Sequence, residues 1–257
     1  RVASVEDGKL RFWSDPFYIK ESGDLHFYRA GKELQDITVF RKFSDNQELW
    51  LQKRMINGVF EGCNDSTFSK KERLHIIRKL PKRLLVPVRP KKSGPYRYVR
   101  YAGPRYGFCN IADMYFYSTD GELLTGRPMG TPGSYGGDKE HDYLSAFDGN
   151  SFTLFDSKKY YHGWVGLDFG EPKHIGKIVY TPRNRDNHVR PGDEYELFYC
   201  DGNWKSAGRV TASSDSILYK GLPAGTLYIL NNLSRGKDIR VFSYDNGVQE
   251  WDRPKKQ

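Results

Sequence analysis

The sequence predicts an all-β chain that folds as tandem β-sandwiches. Aromatic residues make up 15% of the chain, with 18 Tyr and 15 Phe, and such side chains favour strands over helices. From Val165 to Phe169, apolar residues occupy every second position, as in a strand with one buried face. Turn-forming residues follow at short intervals, at Gly170, Pro172, Pro182 and Gly192. Short alternating segments separated by turns are typical of an antiparallel sandwich.

Further strands are predicted along the chain. The first fifty residues contain LRFWSDPFYI, DLHFYRAG and DITVFRKF, which Gly23 and Gly31 separate. Each segment is rich in aromatic and β-branched residues, as strands are. In the second half, Ile178 and Tyr180 flank Val179 in another such run.

One segment has the spacing of a helix instead. Leu74, Ile77 and Leu80 recur at intervals of three residues, which places them on one helical face. The sequence therefore predicts a short helix within residues 70–80, and Pro81 ends it because proline cannot continue a helix.

The two halves of the chain share an order of segments. GVFEGCNDSTF leads to YRYVRY and then MYFY, and YELFYCDGNW leads to TLYILNN and then RVFSY. A length of 257 residues also suits two medium domains. We therefore predict a duplication with its boundary at the turn-rich stretch 118–121, giving β-sandwich modules in residues 1–118 and 119–257.

Positive charge is concentrated in one region. The formal net charge is +9, and residues 1–118 hold 23 Lys and Arg against 13 Asp and Glu, whereas residues 119–257 hold 18 against 19. Most of the excess lies between Lys70 and Arg105, where Glu72 is the one acid. This segment either attracts polyanions, with salt-dependent affinity, or is a solvated connector.

The three cysteines, Cys63, Cys109 and Cys200, have no CxxC spacing for zinc or redox chemistry. We expect three buried or free thiols. No apolar run approaches the ~20 residues that span a bilayer, and the first residues lack the apolar core of a signal peptide. Since the chain begins with Arg, we expect a segment of a larger protein. We also expect this segment to be monomeric.

Three segments between Ala146 and Trp204 stand in a distinctive order: AFDGNSFTLFDS, GWVGLDFGEPKHIGKIVYTPRN and GDEYELFYCDGNW. As an ordered set they resemble the discoidin, or coagulation factor type C, family, a galactose-binding-like jelly roll. YRYVRYAGPRYGFCNIADMYFY and LPAGTLYILNNLSRGKDIRVFSYDNGVQEW look like the C-terminal discoidin region of secreted proteins from gut Bacteroidetes. The resemblance implies a jelly roll in residues 119–257, and a secreted, periplasmic or cell-surface location. Residues 1–118 are then a degenerate copy or a different sandwich.

Loops of the second half carry the side chains that sugar recognition needs. A pyranose has an apolar face that stacks on an aromatic ring and hydroxyls that need oriented donors and acceptors. The segments DSKKYY and RNRDNH offer both kinds of group. The candidate ligand contacts are Asp156, Tyr160, Tyr161, His162, Trp164, Arg183, Asn184 and Asn187.

Each of these candidates has an alternative role. The resemblance implies that Arg183, which follows the Tyr-x-Pro motif, contacts the sugar, but it can equally pair with an acid across the sheet. Asn184 and Asn187 can shape a turn, and Asp156 stands where galactose binders tend to carry histidine.

Tyr135 lies in a Gly-rich segment without the Lys-Ser/Thr ending of a phosphate-binding loop, so we expect a mobile loop there.

The resemblance also implies a structural calcium ion. Asp148 and Thr153 match the loop that holds it, and Glu250 could complete the ligand set. Calcium takes ~6–8 oxygen ligands, and this loop offers mostly carbonyls. Without the metal, residues 148–150 form a tight turn.

No catalytic pattern is visible. None of the six histidines stands in an HExxH pattern, and the cysteines lack a catalytic signature. We expect non-catalytic binding of a galactose-type or host glycan, and no nucleic-acid partner. The alternatives are a protein-interaction or spacer module of a larger surface enzyme, and polyanion binding through residues 70–105.

Overall fold

The computed structural model describes residues 1–20, 22–44, 46–236 and 240–251. They form twenty strands and one α-helix, with three short 3-10 turns between residues 135 and 146. The prediction of an all-β fold is confirmed. Within these ranges, no helix is long and apolar enough to cross a membrane.

The chain forms two compact units, one of them inserted in the sequence of the other. The split unit comprises Arg1–Ser44 and Asn187–Gln257, and the inserted unit comprises Asp45–Asp186. The two segments of the split unit meet where they border the insertion, because Lys42 N donates a hydrogen bond to Asn187 O over 2.7 Å.

The split unit is built from antiparallel strands. Its described strands are β1 (Ala3–Glu6), β2 (Lys9–Phe12), β3 (Phe17–Ile19), β4 (Leu25–Phe27), β5 (Leu34–Val39), β15 (Glu194–Asp201), β16 (Asn203–Thr211), β17 (Ile217–Pro223), β18 (Leu227–Asn232), β19 (Phe242–Asp245) and β20 (Val248–Glu250). The largest sheet has the order β16-β15-β18-β19-β20, β5 pairs with β17, and β1–β2 and β3–β4 are hairpins. The strands predicted within the first fifty residues are present.

The core of the split unit lies between its largest sheet and the β5–β17 pair. Tyr195 and Leu197 of β15 occupy alternate positions and are fully buried, as period-two geometry requires. They pack in one cluster with Ile37 of β5 and Tyr219 of β17. Chain segments from both sides of the insertion therefore share one core.

The inserted unit is a sandwich of two antiparallel sheets. Its elements are α1 (Asn46–Lys53), β6 (Val59–Cys63), β7 (Glu72–Ile76), β8 (Val86–Val88), β9 (Tyr96–Ala102), β10 (Asp113–Ser118), β11 (Leu123–Leu124), β12 (Arg127–Gly130), β13 (Trp164–Lys173) and β14 (Ile175–Thr181). The sheets have the orders β12-β13-β9-β6-β7 and β11-β10-β14-β8. Val165 and Leu167 of β13 pack in one core with Ile178 and Tyr180 of β14, as the alternation in sequence predicts.

The boundary predicted at residues 118–121 does not divide the units. A turn does lie there, but β10 before it pairs with β14 after it, and β9 pairs with β13. Strands from both predicted modules therefore share each of the two sheets. The two similar orders of segments fall one in each unit, in β6, β9 and β10 and in β15, β18 and β19.

The helix predicted within residues 70–80 is wrong, because this segment contains strand β7. Val59 of β6 pairs with Ile76, and Leu74 is fully buried in the core. Pairing with a neighbouring strand outweighs a weak helical spacing. The one α-helix, α1, lies in a stretch for which the sequence predicted no element.

The three cysteines are buried and free, as predicted.

Candidate functional site

Three loops meet at one end of the inserted unit. One precedes β10 (residues 103–112), one precedes β13 (residues 156–163), and one lies between β12 and AFDGNSFTLFDS, residues 146–157, which we call the DGN segment. Backbone hydrogen bonds tie them together: Ser157 N to Phe108 O (2.7 Å), Tyr135 N to Asp156 O (2.8 Å) and Gly107 N to Tyr160 O (2.8 Å). The loops are thus held together by their backbones.

Gly163 allows this close approach. A Cβ atom at this position would lie 2.6 Å from Ser157 Oγ and 2.7 Å from Cys109 Cβ, closer than real side chains come. Gly163 O in turn accepts a hydrogen bond from Gly103 N over 2.9 Å. The glycine therefore fixes the loop of Ser157 against the loop of Cys109.

An exposed cluster of aromatic rings results, which we call the aromatic platform and define as Phe108, Tyr135 and Tyr160. The Phe108 ring centroid lies 4.9 Å from that of Tyr135 and 5.1 Å from that of Tyr160, with interplanar angles of 67° and 66°. Such edge-to-face contacts are favourable for aromatic pairs. Tyr135 is 58% exposed and Tyr160 47% exposed, so both rings present surface to solvent.

A cation and a further ring extend the aromatic platform. The guanidinium carbon of Arg54 lies 3.7 Å from the ring centroid of Trp50 and 6.0 Å from that of Phe108, within the range of cation–π attraction. Trp50, on α1, is 54% exposed. The exposed aromatic surface therefore continues from the loops onto α1.

The polar centre of the site is an ion pair. Arg183 Nη1 donates to Asp156 Oδ2 over 3.0 Å, and the side chains are 28% and 9% exposed. Arg183 thus both pairs with an acid and keeps part of its donor fork in solvent. Asp156 is too buried to offer much surface to a ligand, so its role here is to hold Arg183.

Burial raises the pKa of Asp156, whereas the charge of Arg183 lowers it. Asp156 Oδ1 is buried and has no hydrogen-bond partner among the described groups. The same is true of the two side-chain amide atoms of Asn110, Oδ1 and Nδ2. The backbone of His141 contacts that of Asp156, because His141 O accepts a hydrogen bond from Asp156 N over 3.0 Å. The site therefore keeps unused buried hydrogen-bonding groups next to its charged pair.

Helix α1 positions the backbone around Arg183. Gln52 Nε2 donates to Arg183 O over 3.2 Å, and Glu48 Oε2 accepts from Arg185 N over 3.0 Å. Gln52 also donates to Glu48 Oε1 over 2.7 Å, and both side chains are fully buried. This buried polar network holds the loop after β14 on the helix.

Asn184 connects this loop to the DGN segment. Its Nδ2 donates to Ser151 O over 2.9 Å and to Pro182 O over 3.2 Å. These contacts agree with the turn-shaping alternative rather than with a free donor.

Other predicted contacts are placed differently. Tyr161 is 51% exposed, and its ring lies 5.5 Å from that of the exposed His162, on the segment of Tyr160. Trp164 begins β13 and packs against Phe68, with ring centroids 5.9 Å apart, in a cluster separate from the main core. Asn187 belongs to the split unit, where it is fully buried and donates to Phe43 O over 3.3 Å.

The predicted calcium ligands are divided between the units. Asp148 and Thr153 share a loop of the inserted unit, whereas Glu250 ends β20 of the split unit. Asp148 Oδ1 accepts from Asn150 N over 2.8 Å and Oδ2 from Thr153 Oγ1 over 2.7 Å. The tight turn is thus complete through its own hydrogen bonds. In the described ranges, no group of three or more His, Cys, Asp or Glu residues could hold a metal ion.

A second acid lies near this turn. Asp113 is almost fully buried, and it accepts from the Tyr115 hydroxyl over 2.5 Å. Burial raises its pKa to about 6, and the charge of Asp148 contributes. Within the inserted unit, the charge of Asp148 therefore acts on the buried carboxyl group of Asp113.

Sequence reasoning missed Phe108, Trp50, Arg54, Asn110 and His141. All of them but His141 lie far from the DGN segment in sequence, and contacts between separate loops and α1 bring them to the site. Tyr135, in the segment for which the sequence predicts a mobile loop, donates a backbone hydrogen bond to Asp156 O over 2.8 Å.

Comparison with family models, with curated proteins and with solved structures finds no match to this chain.

Proposed function

We propose that the inserted unit binds a glycan, without catalysis, through the aromatic platform and Arg183. The observation that carries this proposal is the platform itself, two half-exposed tyrosine rings held around Phe108. Asp156 links it to a partly exposed guanidinium, since Asp156 O accepts from Tyr135 N and Asp156 Oδ2 accepts from Arg183 Nη1. The apolar face of a galactose-type pyranose stacks on Tyr160 or Tyr135. Arg183 donates to the sugar hydroxyls, and Asp156 fixes its orientation.

Several features favour recognition over catalysis. Glycosidases use two carboxyl groups that flank the scissile bond. Asp156 is buried and engaged with Arg183, so it is poorly placed to exchange protons with a bound sugar. A shallow open platform suits weak binding, which avidity in a larger secreted or cell-surface assembly would strengthen.

A glycan array tests the proposal. The intact chain is screened with calcium, with a chelator and at raised salt. We expect binding to neutral galactose-type glycans that persists in salt, because the contacts are stacking and hydrogen bonds rather than long-range charge. If calcium supports the Asp148 turn, the chelator weakens this binding. The aromatic platform itself holds no calcium ligand, so binding that is unchanged by the chelator also agrees with the proposal.

Substitution of Arg183 then locates the site. Arg183→Ala should abolish detectable binding of the best array ligand, and Arg183→Lys should weaken it, because lysine lacks the planar fork. Arg127→Ala is the matched control, since Arg127 also pairs with a buried acid, Asp168, over 3.4 Å. Unchanged binding by Arg183→Ala would remove the central claim.

Protein contact is the second candidate function, and the β1–β2 and β3–β4 hairpins favour it. Several of their apolar side chains are more than half exposed: Val5 (71%), Leu10 (60%), Trp13 (64%) and Ile19 (66%). Exposed apolar patches commonly mark interaction sites. A blank glycan array, together with association in solution that Leu10→Ser and Trp13→Ser remove, would favour this function over glycan binding.

A further inference from the structure

A second surface of the inserted unit lies between the edges of its two sheets. Strand β7 is the last strand of the five-stranded sheet, and β8 is the last strand of the four-stranded sheet. The connection from Ile77 to Leu85 runs from one edge to the other. Together these segments form an open groove of ≈ 670 Å³, with the buried side chains of Ile77, Val88 and Tyr180 at its floor.

The groove is lined by cations. Six of its lining residues are basic, and none is acidic: Arg73, Arg78, Lys79, Lys82, Arg83 and Lys91. Arg78 Nη1 donates to the neutral Asn57 Oδ1 over 2.8 Å. Arg73, Lys79, Lys82 and Lys91 form no ion pair with any residue that the structure describes. The positive charge found in sequence between residues 70 and 105 is thus gathered around one concave surface.

Nearby acids do not neutralise this surface. Glu72 accepts from the Tyr96 hydroxyl over 2.7 Å and pairs with Lys92 over 3.2 Å. Glu61 pairs with Arg100 over 2.8 Å. The acids are therefore engaged by cations or hydroxyls outside the groove.

A concentration of like charges destabilises a folded protein through self-repulsion, and it also attracts anions from solution. Elsewhere in the same unit, cations lie next to buried acids, as Arg97 does with Asp168 at 2.9 Å. The groove differs in that its lining supplies no counter-charge. A bound polyanion would supply it.

The pKa of His75 reflects the positive charge of the groove. This histidine is half-buried in the lining, and burial and the charge of Lys91 both lower its pKa. The imidazole is therefore neutral at pH 7 and can donate or accept a hydrogen bond. An anion bound beside Lys91 would raise its pKa, which gives a local readout.

We propose that this groove binds an acidic polysaccharide, whose sulfate or carboxylate groups contact Arg73, Lys79, Lys82 and Lys91. The cations are spread over β7, the connection and the segment after β8, so they match charges repeated along a chain better than a single small anion. The groove shares no lining residue with the aromatic platform, and this proposal does not rest on the neutral-glycan site.

The lining favours a polysaccharide over a single-stranded nucleic acid. Binding of single strands relies on exposed aromatic rings that stack with bases. The one aromatic residue besides His75 in the lining is Tyr180, which is 2% exposed. The remaining floor is aliphatic and proline-rich, with Pro81 and Pro87, and it offers no stacking platform.

Heparin serves as the probe, and its affinity is measured at several salt concentrations with the full chain. The test variant is the triple Lys79→Gln, Lys82→Gln and Lys91→Gln. The control triple is Lys9→Gln, Lys32→Gln and Lys220→Gln, which removes the same charge from exposed positions of the split unit. Thermal unfolding verifies that both variants fold.

We expect the groove triple to lose at least about tenfold in heparin affinity at low salt and to reduce the salt slope by about two to three, since each phosphate- or sulfate-type contact contributes close to one. The control triple should stay within about twofold of the original chain. Heparin should also raise the pKa of His75 in NMR titrations of the original chain, and Arg183→Ala should leave heparin binding intact.

Three outcomes would overturn the proposal. Equal losses in both triples would mean that net charge alone attracts heparin. Tighter binding of a single-stranded oligonucleotide than of heparin, with the same loss in the groove triple, would reassign the groove to nucleic acid. No heparin binding at low salt would leave the groove as a solvated surface.

Discussion

Asp156 lies beneath Arg183: its Oδ2 accepts from Arg183 Nη1 over 3.0 Å, and the acid is 9% exposed whereas the arginine is 28% exposed. A buried acid under a partly exposed guanidinium orients the donor fork before any ligand arrives. Such preorganisation lowers the entropic cost of binding. It also makes the acid a positioning residue for the proposed site.

We expect Asp156→Asn to weaken glycan affinity by about tenfold or more, because an amide holds the guanidinium less firmly than a carboxylate does. Burial raises the pKa of Asp156, so the charged carboxylate does not stabilise the fold at pH 7, and its removal should not lower the free energy of unfolding there. Calorimetric titration and urea unfolding measure the two effects. Asp120→Asn, in an exposed turn, is the control. Equal affinity in both variants would contradict the positioning role.

The aromatic platform predicts a difference between two changes at one position. Tyr160→Ala should reduce glycan affinity by about 1–1.5 kcal/mol because the stacking ring is lost, whereas Tyr160→Phe should retain most of the affinity. Tyr117→Ala is a suitable control. Tyr117 lies near Lys177 at one end of β10, whereas Arg183 follows the Asp113–Thr181 pair at the other end. A loss of equal size in Tyr160→Phe would show that the hydroxyl, not the ring face, makes the contact.

The raised pKa of Asp113 predicts that the free energy of unfolding depends on pH. Its folded-state pKa of about 6 lies above the ordinary value of 3.8. The folded state therefore binds this proton more tightly than the unfolded state does. The resulting stability is present below about pH 4 and is lost as the pH rises to about 6.

Asp113→Asn should accordingly be more stable than the original chain by about 2–3 kcal/mol near pH 7.5, and the difference should vanish near pH 4. Urea unfolding at these two pH values and at about pH 5.5 measures it. Groups that titrate in both proteins cancel in the difference. A stability difference that does not change with pH would mean that Asp113 is not the group that titrates.

The nested arrangement predicts that each unit folds by itself. The main core of the inserted unit draws on residues 55–180 alone, so residues 45–186 expressed separately should unfold cooperatively. In the split unit, Arg41 and His188 form an antiparallel bridge. A short Gly-Ser linker from Ser44 to Asn187 should therefore close that unit without the insertion. Dispersed amide NMR spectra for both chains would agree with this, and two molten chains would contradict it.

Much of the fold could be predicted from local sequence. The alternation in β13, the aromatic runs of the first fifty residues and the turn residues of the second half each specify a strand, because one buried face requires period two. The candidates Asp156 and Tyr160 also follow from side-chain chemistry, and Arg183 from the family resemblance together with its donor fork. The absence of CxxC spacing indicated free thiols, and all three cysteines are free.

Other features depend on partners far away in the chain. Residues 72–76 form a strand because β6 pairs with them, although their spacing favours a helix. The sequence similarity between the halves is local, but the assignment of strands to sheets depends on long-range hydrogen bonds, so the unit boundary fell elsewhere. Glu250 and Asn187 match motifs in sequence and yet belong to the other unit.

The sequence by itself determined which segments are extended and which side chains could recognise a sugar or a polyanion. Only the tertiary structure decided which of them meet: Phe108 with Tyr135 and Tyr160, Arg183 with Asp156, and the cations of β7 with those after β8. Local backbone preference acts over a few residues, whereas these encounters are set by strand pairing and core packing between segments many residues apart.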